Sequence, residues 1–79
     1  MVMAEEPLPF VNKDGDIVVL KRSDSPQLSP YDEGMMRGAL RVTAARQGFK
    51  GIEDVKFSYN QQPDGTYLFK GQARPVDRF

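Results

Sequence analysis

The sequence predicts an α+β domain: one helix packed on a small, mostly antiparallel sheet of three or four strands, with its elements in the order ββαββ. Three observations carry that expectation. Asp14-Gly15 and Asp64-Gly65 each sit between apolar, β-branched or aromatic runs, the pattern of a hairpin whose turn demands positive φ. Between these hairpins, one segment opens at Ser29-Pro30, stops at Gly48 and carries apolar residues at helical spacing. Its apolar side is a stripe, not a full circumference, so the helix should lie on a sheet.

Each element has its own punctuation. Pro7 and Pro9 hold their neighbours out of helix, so residues 1–9 read as a flexible or extended leader. Phe10-Val11, the turn Asn12-Lys13-Asp14-Gly15 and the run from Asp16 to Arg22 make the first hairpin. The unbroken apolar stretch Ile17–Leu20 suits a strand inside the sheet. Ser23 to Ser29 is a polar connector. Ser29 is a good N-cap, Pro30 fits the first helical position, and Asp32 and Glu33 oppose the positive end of the helix dipole. The helix should run to about Gln47, with Gly48 as its left-handed stop.

On a helical wheel, Tyr31, Met35, Ala39, Val42 and Phe49 form the expected sheet-facing stripe, flanked by Met36 and Leu40. Arg37 and Arg41 fall on the opposite side, and Glu33 stands one turn before Arg37 as an ion-pair partner. In the last third, Val55, Phe57 and Tyr59 alternate with Lys56, Ser58 and Asn60. Gln61 to Gly65 turns the chain and Thr66 to Lys70 returns it. The domain is thus expected to span 10–75, with 76–79 beyond Pro75 as a tail.

Composition excludes several functions. Seventy-nine residues make one domain, without Cys and without His. Disulfides and thiolate metal sites are therefore impossible, and the commonest general base and metal ligand is missing. Eleven basic and eleven acidic side chains cancel, which argues against a polyanion mimic and against a non-specific nucleic-acid binder. Residues 1–29 hold three basic and five acidic groups, and 30–79 hold eight and six, so only the second half is slightly basic. No apolar run is long enough to span a bilayer, and the leader, with Glu5, Glu6 and two prolines, is not a signal peptide. The expected location is cytoplasmic.

Specific motifs are few. Asn12, Asp14 and Asp16 start like a calcium loop, but Ile17 and Ser23 stand where such a loop needs Gly and Glu, so turn formation explains them. Gly48-Phe49-Lys50-Gly51 matches a GxxG backbone clamp, which requires a helix on each side, whereas a strand is expected after it. Gly34 and Gly38 form a GxxxG on the helix, either a tolerated surface pair or a flat patch for a partner or a second copy. Tyr59, Tyr67 and Phe69 could stack bases on an open sheet, but core packing under the helix is the simpler role. No nucleophile elbow, phosphate loop or HExxH is present. The chain is therefore expected to be no enzyme, with no catalytic residues, cofactor or metal.

The string Ala44-Ala45-Arg46-Gln47-Gly48-Phe49-Lys50-Gly51-Ile52-Glu53-Asp54-Val55, followed by Gly65-Thr66-Tyr67-Leu68-Phe69-Lys70-Gly71-Gln72, resembles the C-terminal signal domain of Xanthomonas type IV secretion effectors. In that family a helix ends in Gly-apolar, an Ile-acidic-x-Val strand follows, and a Gly-x-x-Leu-Phe strand returns. The likeness covers residues 44–72. It implies a module recognised by the coupling ATPase of a secretion machine.

These readings converge on a small non-enzymatic protein-binding module: an adaptor, a secretion-recognition unit or an inhibitor of a larger machine, phage- and plasmid-borne inhibitors included. The expected partner surface is the exposed helix side and its following loop, namely Arg37, Arg41, Arg46, Phe49 and Lys50. Strand addition at a sheet edge is the alternative surface. Two other functions stay open, a nucleic-acid accessory protein using the basic helix and second hairpin, and a structural homodimer. Self-association is compatible with a core this small.

Overall fold

The computed structural model describes residues 9–79; the expected leader, Pro9 excepted, lies outside the described residues. The element order is β1 (Phe10–Val11), β2 (Ile17–Ser23), α1 (Pro30–Arg46), β3 (Phe49–Gln61) and β4 (Tyr67–Arg78). All four strands form one antiparallel sheet, ordered β1-β2-β4-β3, with α1 across one face. The α+β class and the single helix on a small sheet are as the sequence predicts.

Both hairpins close through the same turn. Asn12 N–H donates to the Asp16 carbonyl and Gly15 N–H to the Asn12 carbonyl, while Gln62 and Gly65 repeat both bonds with Thr66 and Gln62. Short polar side chains hold the loops: Asn12 Oδ1 accepts from the N–H groups of Asp14 and Asp16, and Asp64 Oδ1 accepts from Thr66. This is the turn-forming role expected for Asn12.

Helix α1 starts as its sequence dictates. Ser29 Oγ accepts from Asp32 N–H at 3.1 Å, with Pro30 just inside the helix. Gln47 is the C-cap, and Gly48 follows at φ +95°, a value that only glycine adopts without strain.

The buried side of α1 is not the expected stripe. Met36, Leu40 and Ala44 face the sheet, whereas Tyr31, Met35 and Val42 are exposed and Ala39 is only half-buried. Phe49 leaves the helix altogether and begins β3. The fit to the sheet explains the choice. Met36, Leu40 and Ala44 form an i, i+4, i+8 ridge that packs on Ile17 and Val19 of β2 and Phe69 and Ala73 of β4. Gly71 lies beneath this ridge. A Cβ there would meet Phe57 and Val19 at 3.1 Å and Met36 at 3.3 Å, so glycine lets helix and sheet approach closely. Val18, also buried, points to the other face, where Phe10 and Gln72 are its cross-strand neighbours.

Strands β3 and β4 both exceed expectation. β3 begins at Phe49, six residues before the alternating run at Val55, and a bulge lies between Glu53 and Lys56. There Asp54 takes φ +55°, and the extra residue interrupts the period-two pattern that reveals a strand. The segment expected as a tail at 76–79 is instead paired, Val76 with Gly51 and Arg78 with Phe49. Pro75 is tolerated because the β2 ladder ends at Ile17–Ala73, so the missing N–H of Pro75 lies past the last β2 partner.

Candidate protein-interaction surfaces

The five residues singled out from the sequence do not converge on one patch. Arg37 is half-buried: its Nε donates to Glu33 Oε2 at 3.2 Å, and its guanidinium lies 5.2 Å from the Phe57 ring centre. That contact fixes Arg37, and Arg41 one turn later, on the β3 side of the helix. Arg46 belongs to the opposite flank, where it lines a hollow with Pro9, Ala39, Val42, Thr43 and Gln47. Phe49 is half-buried beneath Arg78, whose guanidinium is 4.8 Å from its ring centre. Lys50 is exposed, with Nζ 5.9 Å from the Phe79 ring centre.

Other cations are also engaged. Arg22 pairs with Asp64 across the two hairpins, and Arg74 lies within reach of both Glu53 and Asp54. The basic half of the sequence therefore does not assemble a continuous positive groove. The GxxG string follows α1 and runs into β3, which begins at Phe49, so the two-helix clamp is not built. A polar hollow formed by Asp16, Asp54, Lys56, Gln72 and Arg74 encloses about 60 Å³, and Gln72 Nε2 already donates to Asp16 Oδ2 across it. It is too small for an organic substrate.

Two surfaces stand out instead. The first is the outer edge of β3, which pairs with no further strand among the described residues. Because Gln62 bonds Thr66 across the turn, alternation assigns the main-chain groups of Asn60, Ser58 and Lys56 to β4. The N–H and C=O groups of Phe57, Tyr59 and Gln61 then point away from it. The two halves of this edge differ. From Lys50 to Lys56 it carries charges and the bulge, devices that keep edges from pairing. From Phe57 to Gln61 it has no charge, no proline and no bulge.

Beside that bare half lies a cleft of about 200 Å³ lined by Pro26, Leu28, Glu33, Phe57, Ser58, Tyr59 and Phe69. Tyr59 is half-exposed and rests on its neighbours, 5.7 Å from Tyr67 and 5.3 Å from Phe69 between ring centres. Of the three aromatics, only Phe69 is fully committed to the core. Arg37, anchored on Phe57, overhangs the same edge.

The second surface is the outer side of α1. Tyr31 is 75%, Met35 54% and Val42 52% exposed. A Cβ built on Gly34 or Gly38 would meet nothing within 4 Å. The sequence contained the signal for this surface, since apolar residues occupy more of the wheel than a sheet can cover.

Compared with known proteins, the chain matches no family model, no curated protein and no solved structure. Among the described residues, no helix is long and apolar enough to cross a membrane.

Proposed function

We propose that this chain is a small, non-enzymatic protein-binding module of the cytoplasm, an adaptor, secretion-recognition unit or inhibitor, and that its partner adds an extended segment to the bare half of β3. The observation that carries this reading is the uncharged run Phe57–Gln61 on a free edge, with three outward main-chain donors and an aromatic cleft beside them. Strand addition draws affinity from main-chain hydrogen bonds and specificity from alternate side-chain pockets. The cleft suits one apolar side chain of the incoming strand. Arg37 and Arg41, above the same edge, favour an acidic residue next to it.

The test is affinity capture from the cells in which the chain is made. Wild type is compared with the double substitution Ser58→Lys and Asn60→Lys, which places lysines on exposed edge positions. Both side chains are on the sheet face away from α1, so thermal unfolding should match wild type. A protein captured by wild type and lost with the double variant supports strand addition. Equal capture by both removes this edge, and no specific capture by wild type removes the function.

A further inference from the structure

Among the described residues, the outer side of α1 is an unpartnered apolar face, distinct from the β3 edge. We infer that it is closed by a second copy of the chain, lying antiparallel across a two-fold axis at Gly38. Three features of the helix select this occupant.

The first is the alternation of size. Tyr31, Met35 and Val42 are the large exposed residues, and Gly34, Gly38 and Ala45 are the small ones between them, spaced three and four apart. In an antiparallel pair centred on Gly38, Tyr31 lies over Ala45 of the second copy and Val42 over Gly34. Gly38 meets its own equivalent, where the two backbones approach most closely. Tyr31 and Val42 thus each face a small residue, and Met35 lies at the level of Arg41 of the second copy. In a parallel pair Tyr31 would meet Tyr31, Val42 would meet Val42, and the glycines would face each other across a gap. The open space around both glycines is the space the second helix would fill.

The second feature is charge. Asp32 and Arg46 lie on the same flank of the helix at opposite ends, and neither has an ion pair among the described residues. A two-fold axis of this kind preserves flanks and exchanges ends. Arg46 of each copy is thus brought beside Asp32 of the other, giving two equivalent pairs. The antiparallel arrangement also sets each helix's positive end beside the other's negative end.

The third is the absence of net charge, eleven basic against eleven acidic groups, so two copies meet without long-range repulsion. A single helix pair buries less than a standard stable interface, so the dimer is expected to dissociate on dilution through the micromolar range, about 1–100 μM. Such a dimer presents two β3 edges, and a partner with repeated segments would bind it by avidity.

Sedimentation velocity of the full chain across that concentration range tests the inference. Wild type should shift from monomer to dimer. Gly38→Leu places a side chain into open space on one copy but into the second backbone in the pair, and should raise the dissociation constant at least about tenfold while circular dichroism keeps the helix. Arg46→Asp should weaken association as well, and Asp32→Arg combined with Arg46→Asp should restore it, because the exchanged pair forms again in the dimer. This rescue does not depend on the glycine variant folding. A chain that stays monomeric at all concentrations overturns the inference, as does a dimer indifferent to both Gly38→Leu and the charge exchange. The Ser58→Lys, Asn60→Lys variant should dimerise like wild type. If it does not, the copies meet through their β3 edges and the helix assignment is wrong.

Discussion

The two long sides of α1 are made of similar residues and meet different surroundings. One side offers Met36, Leu40 and Ala44, and the sheet covers all three; the other offers Tyr31, Met35 and Val42, and nothing among the described residues covers them. Hydrophobicity does not separate these sets. Shape does. The buried ridge tapers from Met to Leu to Ala along the helix and meets a sheet whose centre has been cut back to Gly71 and Ala73. Among the described residues, no strand lies opposite Tyr31 and Val42. A helix this short can thus keep its fold with one apolar side and hold the other for association.

The sharpest way to break the comparison is to truncate one residue on each side. Leu40→Ala removes a fully buried side chain and should lower unfolding free energy by about 3 kcal/mol. Val42→Ala, two positions later, should change it by less than about 0.5 kcal/mol at concentrations where the chain is monomeric. Urea unfolding measures both. Similar losses for the two variants would mean that Val42 is covered and that the outer side is not free.

Glycine offers the same contrast in reverse. Gly71→Ala must push against Phe57, Val19 and Met36, of which Val19 and Phe57 are held in the sheet, and should destabilise by about 1–3 kcal/mol. Gly38→Ala adds the same methyl group to open space in the middle of a helix. It should stabilise the monomer by up to about 1 kcal/mol through helix propensity. Opposite signs for one chemical change would confirm which side of α1 is packed. A loss at Gly38 would show a neighbour there already.

How much of this could be read from the sequence follows from the same physics. Turn and cap residues act locally, so Asn12, Asp64, Ser29, Pro30 and Gly48 announced the hairpins and the helix correctly. Choosing between two apolar sides of α1 is a non-local matter. It depends on the shape of a sheet assembled from β2 and β4, and on Gly71 in particular, which reads in the sequence as an ordinary break after Lys70. The early part of β3 was hidden by its bulge, and the end of β4 by Pro75, whose missing donor costs nothing past the end of β2. For the partner surface, Arg37 and Arg41 were legible as a row on one side of the helix. The sequence did not reveal that they overhang a bare edge, because β3 must first be positioned under them.

Arg37 borders the β3 side of α1, and its interactions are small. Its pair with Glu33 is a half-buried i, i+4 contact, worth about 0.2–0.5 kcal/mol. Arg37→Ala should lose roughly that, plus part of the packing on Phe57. Arg41→Ala should leave stability unchanged and lower capture of the strand-adding partner. If Arg41→Ala costs stability and spares capture, the helix flank above β3 has no part in binding.

The smallest effect concerns a site that belongs to neither side of α1 and so serves as a control. Asp64 sits in the second turn, where the Thr66 hydroxyl, donating at 2.6 Å, and then the Thr66 N–H hold its carboxyl below the usual carboxylate range, with a lesser pull from Arg22. A carboxyl whose pKa is lower folded than unfolded stabilises the fold above its unfolded value, and that contribution is lost as pH falls through the folded value. Thr66→Val removes the hydroxyl donor and keeps the N–H, so the titration of Asp64, followed by NMR of its side-chain carboxyl, should move up toward the ordinary range. Resonances of Leu40 on one side of α1 and Val42 on the other should not follow it. An unmoved Asp64 would assign its low pKa to the main-chain donor. If the α1 resonances titrate with it, the turn and the helix are coupled, and the outer side is not independent of the hairpin that carries the β3 edge.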